Sequence, residues 1–116
     1  MSLSNIKTKH DERRSQRYPT SFPGKLTVWR KHLPVMITDI SRSGALLAAS
    51  ELPSVGEEVV LKARLLEVVA TVAWTNSGFA GLRFHRDIDP LEVVRQNVDE
   101  MRAFRTMRSF SSIRPE

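Results

Sequence analysis

The feature that most constrains this chain is a succession of short apolar runs, rich in β-branched residues, between Lys25 and Phe84, each closed by turn-forming residues. Runs of this length and composition suit a pleated surface, and their spacing suits antiparallel strands. Lys25–Arg30 alternates, with Leu26 and Val28 on one face and Lys25 and Thr27 on the other, and Lys31-His32-Leu33-Pro34 reads as the turn after it. Val35–Ile40 forms the second strand and Ala45–Ala49 the third, separated by the polar break Asp39-Ile40-Ser41-Arg42-Ser43-Gly44. Residues 50–57 are a loop by their Pro, Gly and Ser content. Glu58–Arg64 and Val68–Thr75 could together be drawn as one long helix, but their valines, Thr71 and Trp74 favour strands. Asn76-Ser77-Gly78 then turns the chain into a sixth strand, Phe79–Phe84.

The period changes after Asp87-Ile88-Asp89-Pro90. Asp89 suits an N-cap and Pro90 the first helical position, and apolar residues recur at Leu91, Val94, Val98, Met101 and Phe104. This spacing predicts an amphipathic helix of about four turns, with Arg102, Arg105 and Arg108 toward its negative end. Its apolar stripe has two possible seats, the β-core of the same chain or a second subunit. Six short strands avoid exposed sheet edges by closing on themselves. The expected fold is therefore an all-β, six-stranded antiparallel barrel over residues 19–88, preceded by a flexible arm (1–18) and followed by a helix (89–108) and a tail (109–116). Trp74 and Phe84 are expected in the core, and the polar break and the arm's charges at the barrel rim.

A chain of 116 residues supports one core. No apolar run has the length of a membrane span and the start lacks an apolar signal segment, so a soluble cytoplasmic protein is expected. The absence of cysteine excludes disulfide scaffolds and thiolate metal sites. His10, His32 and His85 fit no metal-ligand spacing, and no nucleophile motif is present, so neither a metal, a cofactor nor an enzymatic reaction is expected. The net charge of +5 is concentrated at the ends, in Lys7, Lys9, Arg13, Arg14 and Arg17 and again in the last fifteen residues, and it points to an anionic partner.

Two short motifs carry that partner's chemistry. Arg13-x-x-x-Arg17 lies in the arm, and Asp39-x-Ser41-x-x-Gly44 lies between the second and third strands. Each residue type has a plain structural use: arm arginines are often solvated, and Asp, Ser and Gly are ordinary turn formers. In this order, at this spacing, and followed by strands that end in Gly81-Leu82-Arg83-Phe84, they resemble the PilZ domain, a bacterial receptor module for cyclic di-GMP. The resemblance covers residues 13–84.

What the resemblance implies is physically coherent. Cyclic di-GMP presents two phosphates and two guanines. Arg13 and Arg17 would supply guanidinium forks for phosphate and donors or a flat face for guanine. Asp39 would accept from guanine N1 and N2, Ser41 would add a hydroxyl contact, and Gly44 would permit a positive-φ turn and close approach to the backbone. Arg14, Arg42 and Arg83 are further candidates. Some family members carry an additional arginine before the first motif arginine and bind a stacked ligand pair. Here that residue is Glu12, which implies one ligand per domain. Binding would order the arm and present a new surface to an unidentified effector protein in trans, from a monomer or a homodimer. The competing readings are a PilZ-like adaptor that acts through protein contacts without ligand and, with less support, a small basic barrel for single-stranded nucleic acid, which needs more exposed aromatics on its strands than this sequence offers.

Overall fold

The computed structural model describes residues 16–98. The expectations for Arg13, Arg14, most of the arm, the helix beyond Val98 and the tail fall outside them. Six antiparallel strands close into a barrel in the order β1-β2-β3-β6-β5-β4. Their ranges are β1 Tyr18–Val28, β2 Lys31–Ile40, β3 Gly44–Ala48, β4 Glu58–Ala63, β5 Leu66–Asn76 and β6 Phe79–Phe84. A helix, α1, spans Pro90–Gln96.

The interior is filled by the alternating apolar positions of every strand. Leu26, Ile37, Leu47, Leu61, Val68 and Val72 are among the side chains buried in one continuous core. Phe22 belongs to that core and Tyr18 packs against it, whereas Trp29 is exposed. Phe84 is buried, as expected.

The first strand starts seven residues earlier than its alternation suggests, because Pro19 and Pro23 lie inside it. β4 pairs with β1 only over Lys25–Thr27, so the first half of β1 has one edge without a ladder, where proline is tolerated. The turn to β2 is also earlier and tighter than Lys31–Pro34. Val28 pairs with Lys31, leaving Trp29-Arg30 as a two-residue turn, with φ +64° at Trp29. A positive φ at the first turn position alone is the pattern that ordinarily takes glycine there. A side chain in that region costs about 1–2 kcal/mol.

α1 forms where its caps predict. The Asp89 side chain accepts from the Glu92 N–H, and Pro90 occupies the first turn. Ile88 and Val93 join the barrel core, Asn97 Nδ2 donates to the Arg64 and Val93 carbonyls, and the Ile88 N–H donates to the Arg42 carbonyl. The described part of the helix thus covers the barrel end formed by the loops at 41–43 and 64–65. Of the two seats its stripe allowed, these residues take the one in their own chain.

Three bulges distort the barrel wall, and two of them decide where the polar residues point. β1 shifts register between Pro19 and Phe22, β2 between Ile37 and Asp39, and β5 between Val72 and Trp74. β1 keeps Thr20, Phe22 and Leu26 inward across its bulge, but on β2 and β5 the unmatched residue exchanges the inward and outward faces after it. On β2 the inward positions Val35 and Ile37 are followed by Ile40, so Asp39 faces outward. On β5 strict alternation from Val68, Ala70 and Val72 would bury Trp74, but the bulge at Ala73 turns it out, and the indole is 45% exposed. This overturns the expectation of Trp74 as a core residue.

A candidate ligand site on the outer wall

One register row crosses four strands on the outside of the barrel. Asp39 on β2 pairs with Leu46 on β3, Leu46 with Gly81 on β6, and Gly81 with Trp74 on β5. Arg17, immediately before β1, reaches the end of this row, where its Nη1 donates to Asp39 Oδ1 at 3.2 Å. The pair is open to solvent, with side-chain exposures of 57% for Arg17 and 23% for Asp39. Such a pair contributes about 0–1 kcal/mol, which leaves both groups available for exchange with a ligand. Arg17, Asp39, Leu46, Trp74 and Gly81 line a concavity of about 170 Å³. Arg17 and Asp39 therefore meet on the wall of the barrel rather than at its rim, because the β2 and β5 bulges turn Asp39 and Trp74 toward the same outer face.

Trp74 is the member of this site that sequence reasoning missed. Its position is tied to Gly81: a Cβ added at Gly81 would lie 2.2 Å from Trp74 Nε1, so the indole rests on the bare backbone of β6. A glycine in a strand interior often marks such a close approach, and Gly81 was the available signal.

The break between β2 and β3 is rigid and self-satisfied. Ser41 is 2% exposed. Its Oγ accepts from the Gly44 N–H at 3.1 Å and the Ser43 N–H at 3.3 Å, and donates to the Gly44 carbonyl at 3.2 Å. The Ser41 N–H donates to the same carbonyl at 2.8 Å. The hydroxyl thus holds the loop in shape and has its partners inside the loop. Gly44 is required for a reason other than a positive-φ turn, since only Gly56 and Gly78 have positive φ among the described glycines. A Cβ at Gly44 would lie 2.2 Å from the Leu82 carbonyl oxygen, so β3 and β6 lie too close at this residue for any side chain.

The other candidates divide. Arg83 is exposed on β6, two residues beyond Gly81 on the same outer face, and pairs in register with Gly44 and Thr71. It extends the wall by a second cation. Arg42 is exposed at the tip of the 41–43 loop, toward the end covered by α1. Arg13 and Arg14 lie outside the described residues. The two described histidines bond to threonines, His32 Nδ1 with Thr27 Oγ1 at 3.0 Å and His85 Nε2 with Thr71 Oγ1 at 2.8 Å. Among the described residues no group of three or more His, Asp or Glu is placed to hold a metal ion. No described helix is long and apolar enough to cross a membrane.

No curated protein matches the chain by sequence. Solved structures do share the fold. The crystal structure of the Borreliella burgdorferi PlzA protein in complex with c-di-GMP superposes with a TM-score of 0.58 at 18% identity, covering 86% of this chain and 45% of that one. The Bacillus subtilis inhibitor of motility (MotI/DgrA) gives 0.56 at 15% identity over 84% of this chain and 52% of its own. The PilZ domain of CeSA from a cellulose-synthesizing bacterium gives 0.54 at 17% identity over 78% of this chain and 99% of that domain. The chain therefore spans about half the length of the first two and nearly all of the isolated domain. The family model for the PilZ domain matches residues 11–103, a span that includes both motifs, all six strands and α1. The chain belongs to the PilZ domain family.

Proposed function

We propose that this chain is a receptor for cyclic di-GMP and a binding module rather than an enzyme. The observation that carries the reading is the meeting of Arg17 and Asp39, at 3.2 Å, beside an exposed indole on one concave face of the barrel. Each group of the pair has a partner on the ligand. A phosphate oxygen replaces the carboxylate beside Arg17, and the guanine N1–H and N2–H replace the guanidinium beside Asp39. Because the pair in solvent contributes little, breaking it costs little, and the charge-assisted bonds to the ligand replace it.

The concavity of about 170 Å³ is smaller than the roughly 300–1,000 Å³ of a complete small-ligand pocket, so it takes one base rather than the whole dinucleotide. Trp74 offers that base a stacking wall, and Arg83 stands where a phosphate beyond the base would pass. Ser41 acts through the loop it holds, setting the backbone between Asp39 and Gly44. Arg13 completes the phosphate site from the arm, which closes over the ligand and gives an effector protein a surface assembled from arm, ligand and barrel. Glu12 beside Arg13 disfavours a second, stacked ligand, which sets the stoichiometry at one per domain.

The reading is tested by calorimetric titration of the full chain with cyclic di-GMP and with GTP at physiological salt, alongside Arg17→Ala and Asp39→Ala. Binding of cyclic di-GMP at one equivalent, weakened in both variants and not matched by GTP, supports it. Equal binding of GTP reduces the site to an anion patch. No binding of either leaves an adaptor that works without ligand.

A further inference from the structure

A cleft on the described surface lies away from the ligand wall, at the opposite end of β1. It has a volume of about 500 Å³ and runs between the β1–β2 turn and the 51–57 loop. Its floor and sides are apolar, from Val28, Leu33, Leu52 and Pro53. Trp29 stands on its lip and is 94% exposed. Trp29 is twelve residues beyond Arg17 along the same strand, roughly 30–40 Å by strand rise, so this surface stays free when the proposed ligand site is filled.

Trp29 is an unusual residue for its position. A two-residue hairpin turn with φ +64° at its first residue suits glycine. The chain instead places its largest side chain there, in a strained conformation, with almost none of its surface buried. No packing among the described residues compensates for that strain, and outliers of this kind point to a contact made elsewhere. The positive-φ backbone presents the indole at the lip, beside the cleft rather than in it. Knob and hole are thus side by side on one surface. A two-fold axis between them places each indole in the other chain's cleft, which is the condition for an isologous pair.

The charges at the cleft are also self-complementary. Lys31 and Glu51 neutralise each other in an ion pair across it. The Glu57 carboxylate accepts the Ser54 N–H through Oε1 and has no ion pair among the described residues, and Arg30 has neither a hydrogen bond nor an ion pair among them. The surface is left with one cation on the hairpin and one anion on the loop. A two-fold copy sets Arg30 of each chain against Glu57 of the other.

We infer that this end of the barrel is a self-association surface, and that a second copy of the chain seats Trp29 in the cleft between the hairpin and the 51–57 loop. The surface is independent of the ligand reading, since none of its residues belongs to the outer-wall site. It would join two receptor domains back to back with both ligand walls facing outward.

The test is sedimentation equilibrium of the full chain, without ligand, across about 5–500 µM, the range in which an interface of modest size associates. The expected result is a weight-average mass that rises from one chain toward two. Trp29→Gly removes the knob and suits the turn, so the variant should stay monomeric throughout while its melting temperature holds or rises. Arg30→Glu alone sets two carboxylates against each other and Glu57→Arg alone sets two guanidinium groups together, so each single variant should be monomeric. Mixed one to one, they recreate both opposite-charge pairs across the axis and should associate like the parent chain. A parent chain that is monomeric at every concentration overturns the inference and gives the cleft to a different partner. Single charge variants that associate as well as the parent, or a mixture that fails to, overturn it as well.

Discussion

Replacing Gly81 by alanine separates the proposed ligand wall from the fold that carries it. The new Cβ would stand 2.2 Å from Trp74 Nε1 and 2.6 Å from Cε2, so the indole must leave the wall. It can do so because it is already half in solvent and the clash is with a side chain, not with backbone. Stability should change by less than about 1 kcal/mol, since the lost indole packing is offset by the gain from glycine to alanine within a strand. Ligand affinity should fall by far more. Base stacking on an aromatic side chain is worth about 1–3 kcal/mol, which corresponds to roughly a 5- to 150-fold loss of affinity for cyclic di-GMP. The comparison variant is Gly44→Ala, whose Cβ would stand 2.2 Å from the Leu82 carbonyl oxygen in the paired strand. There the backbone of β3 or β6 has to move, and the cost is about 2–3 kcal/mol of stability. Urea denaturation reads the stability change and calorimetry the affinity. In a Trp29→Phe background Trp74 is the one remaining tryptophan, so its emission reports directly whether the indole has moved into water. Wild-type affinity in Gly81→Ala would refute the stacking role, and a stability loss matching that of Gly44→Ala would show that Trp74 is locked rather than displaced.

Two other outcomes are expected from the geometry. Ser41→Ala leaves the buried Gly44 N–H without its hydroxyl acceptor, and should cost about 1–3 kcal/mol by urea denaturation while lowering ligand affinity only through the loop. Leu65 is exposed at the β4–β5 turn with φ +56°, and Leu65→Asn, which tolerates that backbone, should raise stability by about 0.5–1 kcal/mol in the same assay.

The barrel was legible because its inward positions are alternating aliphatic residues that no other arrangement buries as well. Leu26, Val59, Leu61, Val68, Val72 and Leu82 carry the pattern strand by strand, and the Asp89-Pro90 cap marked the helix start without ambiguity. The first strand was cut short because Pro19 and Pro23 look like breakers until one knows that half of β1 lacks a partner on one side, which is a property of the closed barrel and not of the local sequence. Bulges account for the remaining differences. One extra residue at Thr38 and another at Ala73 reverse the faces of the residues after them, and alternation alone cannot register an insertion of one. Asp39 has a motif to mark it and Trp74 has only its alternation, which points to the core, although the same kind of distortion turns both outward. Ser41 and Gly44 were found by motif, but the physical roles the structure gives them are a hydroxyl that braces a loop and a bare Cα that lets two strands touch.

The division of labour between Arg17 and Asp39 is the centre of the account, and it is tested most directly by the ratio of affinities for cyclic di-GMP and cyclic di-AMP. The two ligands share their phosphates and differ in base edges, since adenine lacks the N1–H and N2–H donors that a carboxylate accepts. A site built on such bonds discriminates because the wrong base covers the carboxylate without offering it a donor. The account predicts a parent chain that favours cyclic di-GMP by at least about 100-fold, an Arg17→Ala variant that binds more weakly with that preference retained, and an Asp39→Ala variant in which the preference largely disappears. An Asp39→Ala variant that still prefers guanine as strongly as the parent would contradict it.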